Sequence, residues 1–219
     1  MVTVDDLERD HEVSTYLHSA NAMMEALGFT EHGERHAHLV SSIAGNILSR
    51  LDYEPRSAEL ASIAGYLHDT GNLVHRDGHE RTGALLARDV LMRLKMPIEE
   101  VTLIMGAIGN HEEPIGVAVS PIAAAVIIAD KADVHMSRVQ NPDPKKFDIH
   151  DRVNYSVRRS FVHVDGADKS ITLDLQVDTA LSSVEEYFEI FLSRMVMCRR
   201  AAQFLGCQFA LLINGHKLM

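Results

Sequence analysis

The tightest constraint on this chain is a set of imidazole and carboxylate side chains placed on apolar stripes at helical spacing. His36 leads Val40, Ile43 and Ile47 at steps of four, three and four. Leu60, Ala64 and Leu67 lead to His68, and His79 leads Gly83, Leu86, Val90 and Leu94. Val101, Ile104 and Ile108 lead to His111, and Ile122 and Val126 lead to Asp130. A period of about 3.6 residues brings positions three and four apart onto one face. Each stripe therefore turns its polar member toward the interior that its apolar members seek. Burying an imidazole or carboxylate is unfavourable unless it is hydrogen-bonded or bound to metal. Taken singly, each reads as a satisfied core residue. Five helices that aim such groups inward instead surround a common centre, as ligands do in helical-bundle metal sites. His32, four residues before His36, is expected one turn back on the same face and within reach of that centre.

Punctuation between the stripes marks the helices. A first is expected over residues 5–27, stopped by Gly28. Thr30 is expected to cap the second and Ser57 the third, which stops at Gly71. The fourth starts near His79, the fifth at Pro97 and the sixth at Ser120-Pro121. The loop Asn141-Pro-Asp-Pro-Lys-Lys146 then separates a helical part from a mixed tail. In the tail, Phe161–Val164, a turn at Asp165-Gly166 and the alternating run Ile171–Val177 predict a β-hairpin. Ser183 and Glu186 form a capping box for a long helix reaching Gly206, and Gln208–Ile213 leaves room for a last strand. The expected architecture is mainly α: a helical bundle over 1–140 followed by a small α+β annex over 141–219.

Composition narrows the function. With 46% hydrophobic and 24% charged residues the chain is globular rather than disordered. No apolar run approaches the roughly 18 residues of a membrane span, and the acidic start (Asp5, Asp6, Glu8) does not read as a signal peptide. Cys198 and Cys207 lack metal-ligand spacing and read as small hydrophobic residues in a reducing cytoplasm. A formal charge of −10 argues against nucleic acid as a partner. An anionic small molecule stays open, because bound cations can reverse the sign of a site locally.

The pair His68-Asp69 stands at a helix end in Tyr66-Leu-His-Asp-Thr-Gly71, where relaxed geometry lets His68 serve one metal while Asp69 bridges two. With His36 before it and Ile-Ile-Ala-Asp130 after it, the chain resembles the HD-domain metal-dependent phosphohydrolase superfamily over roughly residues 30–140. The resemblance extends to its two-metal members. His79 in His-Glu-Arg-Thr-Gly-Ala matches a histidine that starts a helix there. His111 matches one of a histidine pair whose other place holds Asn110, and His32 stands where some members carry a glutamate ligand. Two departures stand out: Asn72 replaces a lysine that many relatives carry, and Pro114-Ile115-Gly116 stands in place of a Gly-Tyr-Pro signature.

The resemblance implies an HD-type bundle that cleaves a phosphoester, of a nucleotide or related small molecule, by metal-activated water. The alternatives are a cyclic-dinucleotide or other phosphodiesterase and a non-hydrolytic nucleotide-binding regulatory module. Asp69, His68 and Asp130 would be catalytic. One metal would be held by His36, His68, Asp69 and Asp130, the other by Asp69, His79, His111 and His32. Mixed imidazole–carboxylate ligands favour one or two divalent ions of iron, manganese, cobalt, nickel or zinc over magnesium. Lys131, Arg138 and Arg81, with Arg76, are candidates to meet phosphate; the competing reading is solvated cations on helix faces. Asp133 would orient a ligand histidine or form a simple salt bridge. Asp148–Arg152 reads as a salt-bridge cluster. Phe188, Phe191, Met195 and Met197 read as core or as the face of a homodimer.

Overall fold

Helix α7 (Pro121–Lys131) is the axis of the fold, with every residue from Ile122 to Lys131 buried. Its Ala123-Ala124-Ala125 run lets neighbouring backbones approach closely. In the computed structural model, which describes residues 1–113 and 115–219, α7 is surrounded by α3 (Glu34–Arg50), α4 (Pro55–Leu67) and α6 (Ile98–Gly109). The bundle is completed by α1 (Val4–Glu8), α2 (His11–Ala26) and α5 (His79–Arg93). Pro114, in the segment that departs from Gly-Tyr-Pro, lies outside the described residues.

The tail forms α8 (Ile149–Ser156), strands β1 (Val157–Asp165) and β2 (Ser170–Val177), α9 (Val184–Phe204), β3 (Gln208–Ile213) and β4 (His216–Lys217). The sheet order is β1-β2-β3-β4. The hairpin β1–β2 is antiparallel with Val162 opposite Leu173, and β2 and β3 run parallel, joined through α9. The alternation in β2 is realised: Ile171, Leu173, Leu175 and Val177 are buried. Helix α9 packs on both α7 and β3, so bundle and annex share one apolar core. Among the described residues no helix is long and apolar enough to cross a membrane.

Several boundaries differ from expectation, each for a local reason. The helix expected over 5–27 is two, because the Asp10 carboxylate accepts from the amides of Glu12 and Val13 and starts α2 afresh. Thr30 caps nothing; α3 begins after Gly33, which leaves His32 off the helix with its amide on Asn21 Oδ1 at 2.9 Å. The third helix begins at Pro55, whose fixed φ suits a first turn. Asp133 lies beyond the end of α7. Asp148 is the N-cap of α8, a helix the polar cluster conceals, while Arg152 does form an ion pair with Glu186.

One close approach positions the future site. A Cβ on Gly71 would collide with the His79 carbonyl and the Gly83 amide, so only glycine lets the start of α5 seat on the turn after Asp69.

The capping box of α9 carries a testable pH signature. Glu186 accepts from the Ser183 amide at 3.2 Å and the Ser182 hydroxyl at 2.7 Å, and Arg152 sits at 2.8 Å. Arg152 first, then these donors, draw its pKa down to about 2. A carboxylate whose folded pKa is depressed contributes stability that is present above its unfolded pKa and is lost as pH falls toward the folded one. Glu186→Gln should therefore lower Tm at neutral pH, with the gap to the parent narrowing below the ordinary glutamate pKa of about 4.5. A gap unchanged across that window would contradict this role.

Candidate metal centre

Helix α4 ends at Leu67, so His68 is its C-cap and Asp69 opens the 3-10 turn Thr70–Leu73. The change of backbone path lets two adjacent side chains face one point, which a continuous helix would spread about 100° apart. His36 arrives from α3, His79 from the first residue of α5, His111 from just past α6 and Asp130 from α7. All four histidines are buried.

In each of these histidines Nδ1 already has an acceptor. His36 Nδ1 lies 2.7 Å from Asp133 Oδ2 and His68 Nδ1 lies 2.7 Å from the Gly65 carbonyl. His79 Nδ1 faces the Arg76 carbonyl at 2.9 Å and His111 Nδ1 the Ile108 carbonyl at 2.6 Å. A carbonyl or carboxylate oxygen can only accept, so the proton belongs on Nδ1 and the Nε2 lone pair is left to face the centre.

Those Nε2 atoms converge in two sets. His36 and His68 stand 3.2 Å apart, with Asp69 Oδ2 at 3.4 and 3.3 Å and Asp130 Oδ1 at 3.4 and 3.7 Å. His79 and His111 stand 3.2 Å apart, with Asp69 Oδ1 at 3.3 and 3.8 Å. Asp69 thus offers one oxygen to each set. Two lone pairs at 3.2 Å repel unless a cation lies between them, so the donor set fits a pair of divalent ions. Without metal a proton takes that part between His36 and His68. Burial disfavours the His68 imidazolium, but the charges of Asp69 and Asp130 outweigh it and raise the pKa to about 10. Burial alone would raise the Asp69 and Asp130 carboxyls; instead His68 beside the first and Lys131 beside the second hold them well below the usual range.

The surroundings hold residues that spacing does not reveal. Arg35 grips Asp133 with two nitrogens, at 2.7 and 3.3 Å, behind His36. Glu112 has a carboxylate oxygen grouped with the His79 and His111 nitrogens within 4.8 Å. Its signal was its place in Asn-His-Glu-Glu, directly after His111. Arg76 stands 3.2 Å from His79 Nε2 and 2.6 Å from Glu112 Oε1. Arg194 of α9 reaches Glu113 Oε1 at 2.8 Å, a contact across 81 residues that no local pattern announces.

The other expected residues are placed as follows. The His32 ring centroid lies 5.6 Å from that of His36, and burial pushes its pKa well down. His32 is absent from the groups whose ligand atoms cluster within 4.8 Å. Lys131, expected to meet phosphate or solvent, is only 2% exposed; its ammonium meets Asp130 at 2.7 Å, Glu113 at 2.6 Å and Glu112 at 3.1 Å. Arg138 is buried and donates to the Glu31 and Asp133 carbonyls. Arg81 is exposed and pairs with Glu80. The cation that does flank the centre is Arg76. It lines a cavity of about 200 Å³ with His79, Glu112, Glu113 and Ile115. A larger cavity of about 500 Å³, between α3 and β1, contains none of the ligand residues.

The HD domain family model matches residues 33–135, a span that holds every residue from His36 to Asp133 described above. An uncharacterized protein of Methanocaldococcus jannaschii is 30% identical over 210 residues, covering 85% of this chain and 78% of the relative.

The buried charge cluster makes a prediction of its own. Removing one member of a buried ion network leaves the others uncompensated, typically at about 3–5 kcal/mol. Lys131→Ala should destabilise the metal-free protein by about that amount in a urea titration. A loss of under about 1 kcal/mol, the range of an exposed pair, would show that Lys131 is not the counter-ion this geometry makes it.

Proposed function

From the premise that the chain belongs to the HD domain family of metal-dependent phosphohydrolases, we propose that it cleaves a phosphoester, of a nucleotide or related small molecule, at a two-metal centre. The observation that carries this is the convergence of four imidazole Nε2 atoms on Asp69, whose two oxygens divide between them. His36, His68, Asp69 and Asp130 would hold one ion; Asp69, His79 and His111 would hold the other. Divalent ions in such a site lower the pKa of water toward neutrality and neutralise phosphoryl charge.

The remaining work falls to the chain's own residues. Asp133 and the Gly65, Arg76 and Ile108 carbonyls hold the four imidazoles in the tautomer that leaves Nε2 free. Lys131 keeps Asp130 ionised. Arg76 presents a guanidinium that matches two phosphoryl oxygens once Glu112 yields its place. The cavity beside it is below the roughly 300 Å³ of an ordinary ligand site. It suits a phosphoryl group with the rest of the substrate outside, along Ile115. A nucleotide substrate and a cytoplasmic location rest on family resemblance and composition. In this reading residues 1–140 carry the chemistry, and the annex over 141–219 contributes Arg194.

Asp69→Ala should lose both ions and reduce hydrolysis below detection while keeping its helical circular dichroism. The assay is a panel of nucleoside monophosphates, cyclic dinucleotides and simple phosphate monoesters, with products separated by chromatography. A folded variant that retains metal and turnover would sink the assignment.

A further inference from the structure

We propose that the outer face of α9 is the interface of an antiparallel, two-fold symmetric dimer whose partner is a second copy of this chain. The inner face of the helix is spent on α7 and β3, with Tyr187, Phe191, Met195, Cys198, Ala201 and Ala202 buried. The outer face carries a stripe at alternating steps of four and three: Glu185, Glu189, Leu192, Val196, Arg199, Gln203. This is the 3.5-residue repeat that helices use to pair along their length. Val196 is half-buried and the other five are exposed. Leu192, at 51% exposure, stands near the middle of the stripe.

The order of residues along the stripe selects the partner. It runs acidic, apolar, basic. In an isologous two-fold contact, residue i meets residue j of the other copy and j meets i. A second α9 laid antiparallel, with the axis at the level of Arg194, sets Glu189 opposite Arg199, Leu192 opposite Val196 and Glu185 opposite Gln203. Every stripe position finds a complement, over roughly 27 Å of helix at 1.5 Å per residue. A parallel arrangement would set like charges against each other. Among the described residues, none of Glu185, Glu189, Arg199 and Arg200 has an oppositely charged partner within 4.0 Å in its own chain, although many of the other surface charges do. Arg194, at the level of the axis, points inward to Glu113. The helix that pairs is therefore the one that braces the carboxylates around Lys131.

Charge reversal on the full-length chain tests this without reference to metal or substrate. Light scattering after size exclusion should give twice the 24.3 kDa chain mass for the parent protein. Glu189→Arg and Arg199→Glu should each weaken the dimer at least about tenfold, because each sets like charges opposite one another across the axis. Mixed in equal amounts, the two variants should recover a one-to-one dimer, as should the double variant Glu189→Arg/Arg199→Glu with itself. Recovery excludes misfolding as the cause of the single losses. A monomeric parent protein, a dimer indifferent to both reversals, or reversals that fail to complement one another would each overturn the proposal.

Discussion

The centre depends on the commitment of one nitrogen in each of four histidines. Because Nδ1 of His36, His68, His79 and His111 each meets an acceptor, the Nε2 lone pairs turn toward the common centre, where Arg76 also approaches that of His79. Three of the four acceptors are backbone carbonyls near helix ends, so the orientation is built into the path of the chain. Only His36 relies on a side chain, Asp133, and that carboxylate is itself gripped by Arg35 and flanked by Arg138. Burial tends to raise the Asp133 carboxyl, yet Arg138, His36 and Arg35 together hold it far below the usual range. It therefore remains an acceptor at neutral pH.

Such a centre is unfavourable without a cation, and the fold supplies its supports from several directions. Asp69 and Asp130 bring negative charge among the imidazoles. Lys131, fixed between Asp130, Glu112 and Glu113, offsets part of it from behind. Arg194 extends the network into the annex. A buried network of this kind is poor support for stability in itself, since its desolvation opposes its attraction. Its value lies in holding a ligand set in place before any ion arrives, which is what a reactive site requires.

Much of this was legible in the sequence, and the limits have physical causes. Helical periodicity located His36, His79, His111 and Asp130 because apolar neighbours three and four residues away force their direction. The alternation from Ile171 to Val177 revealed a strand for the same reason, with a period of two. Periodicity fails where the helix ends, which is why His32 and Asp133 both lie off the helices that their spacing suggests. It also overlooks short caps: Asp10 breaks a pattern that otherwise continues, and Asp148 opens a helix that reads as a knot of charges. Nothing local distinguishes Lys131, buried among three carboxylates, from an exposed lysine at a helix end. Arg194 and Glu113 meet only because α9 folds back on α7. Arg35 was equally hidden, since its partner Asp133 is 98 residues away.

The central claim is that the inward nitrogens and Asp69 form a site for two ions rather than a hydrogen-bonded core. Elemental analysis of protein purified without chelator or affinity-tag metal, then titrated with manganese, iron, cobalt or zinc, addresses it most directly. Two equivalents of transition metal per chain are expected, one for each set of Nε2 atoms. A chain that carries no metal and takes up none would contradict the account, because the same nitrogens would then be satisfied as a hydrogen-bonded core.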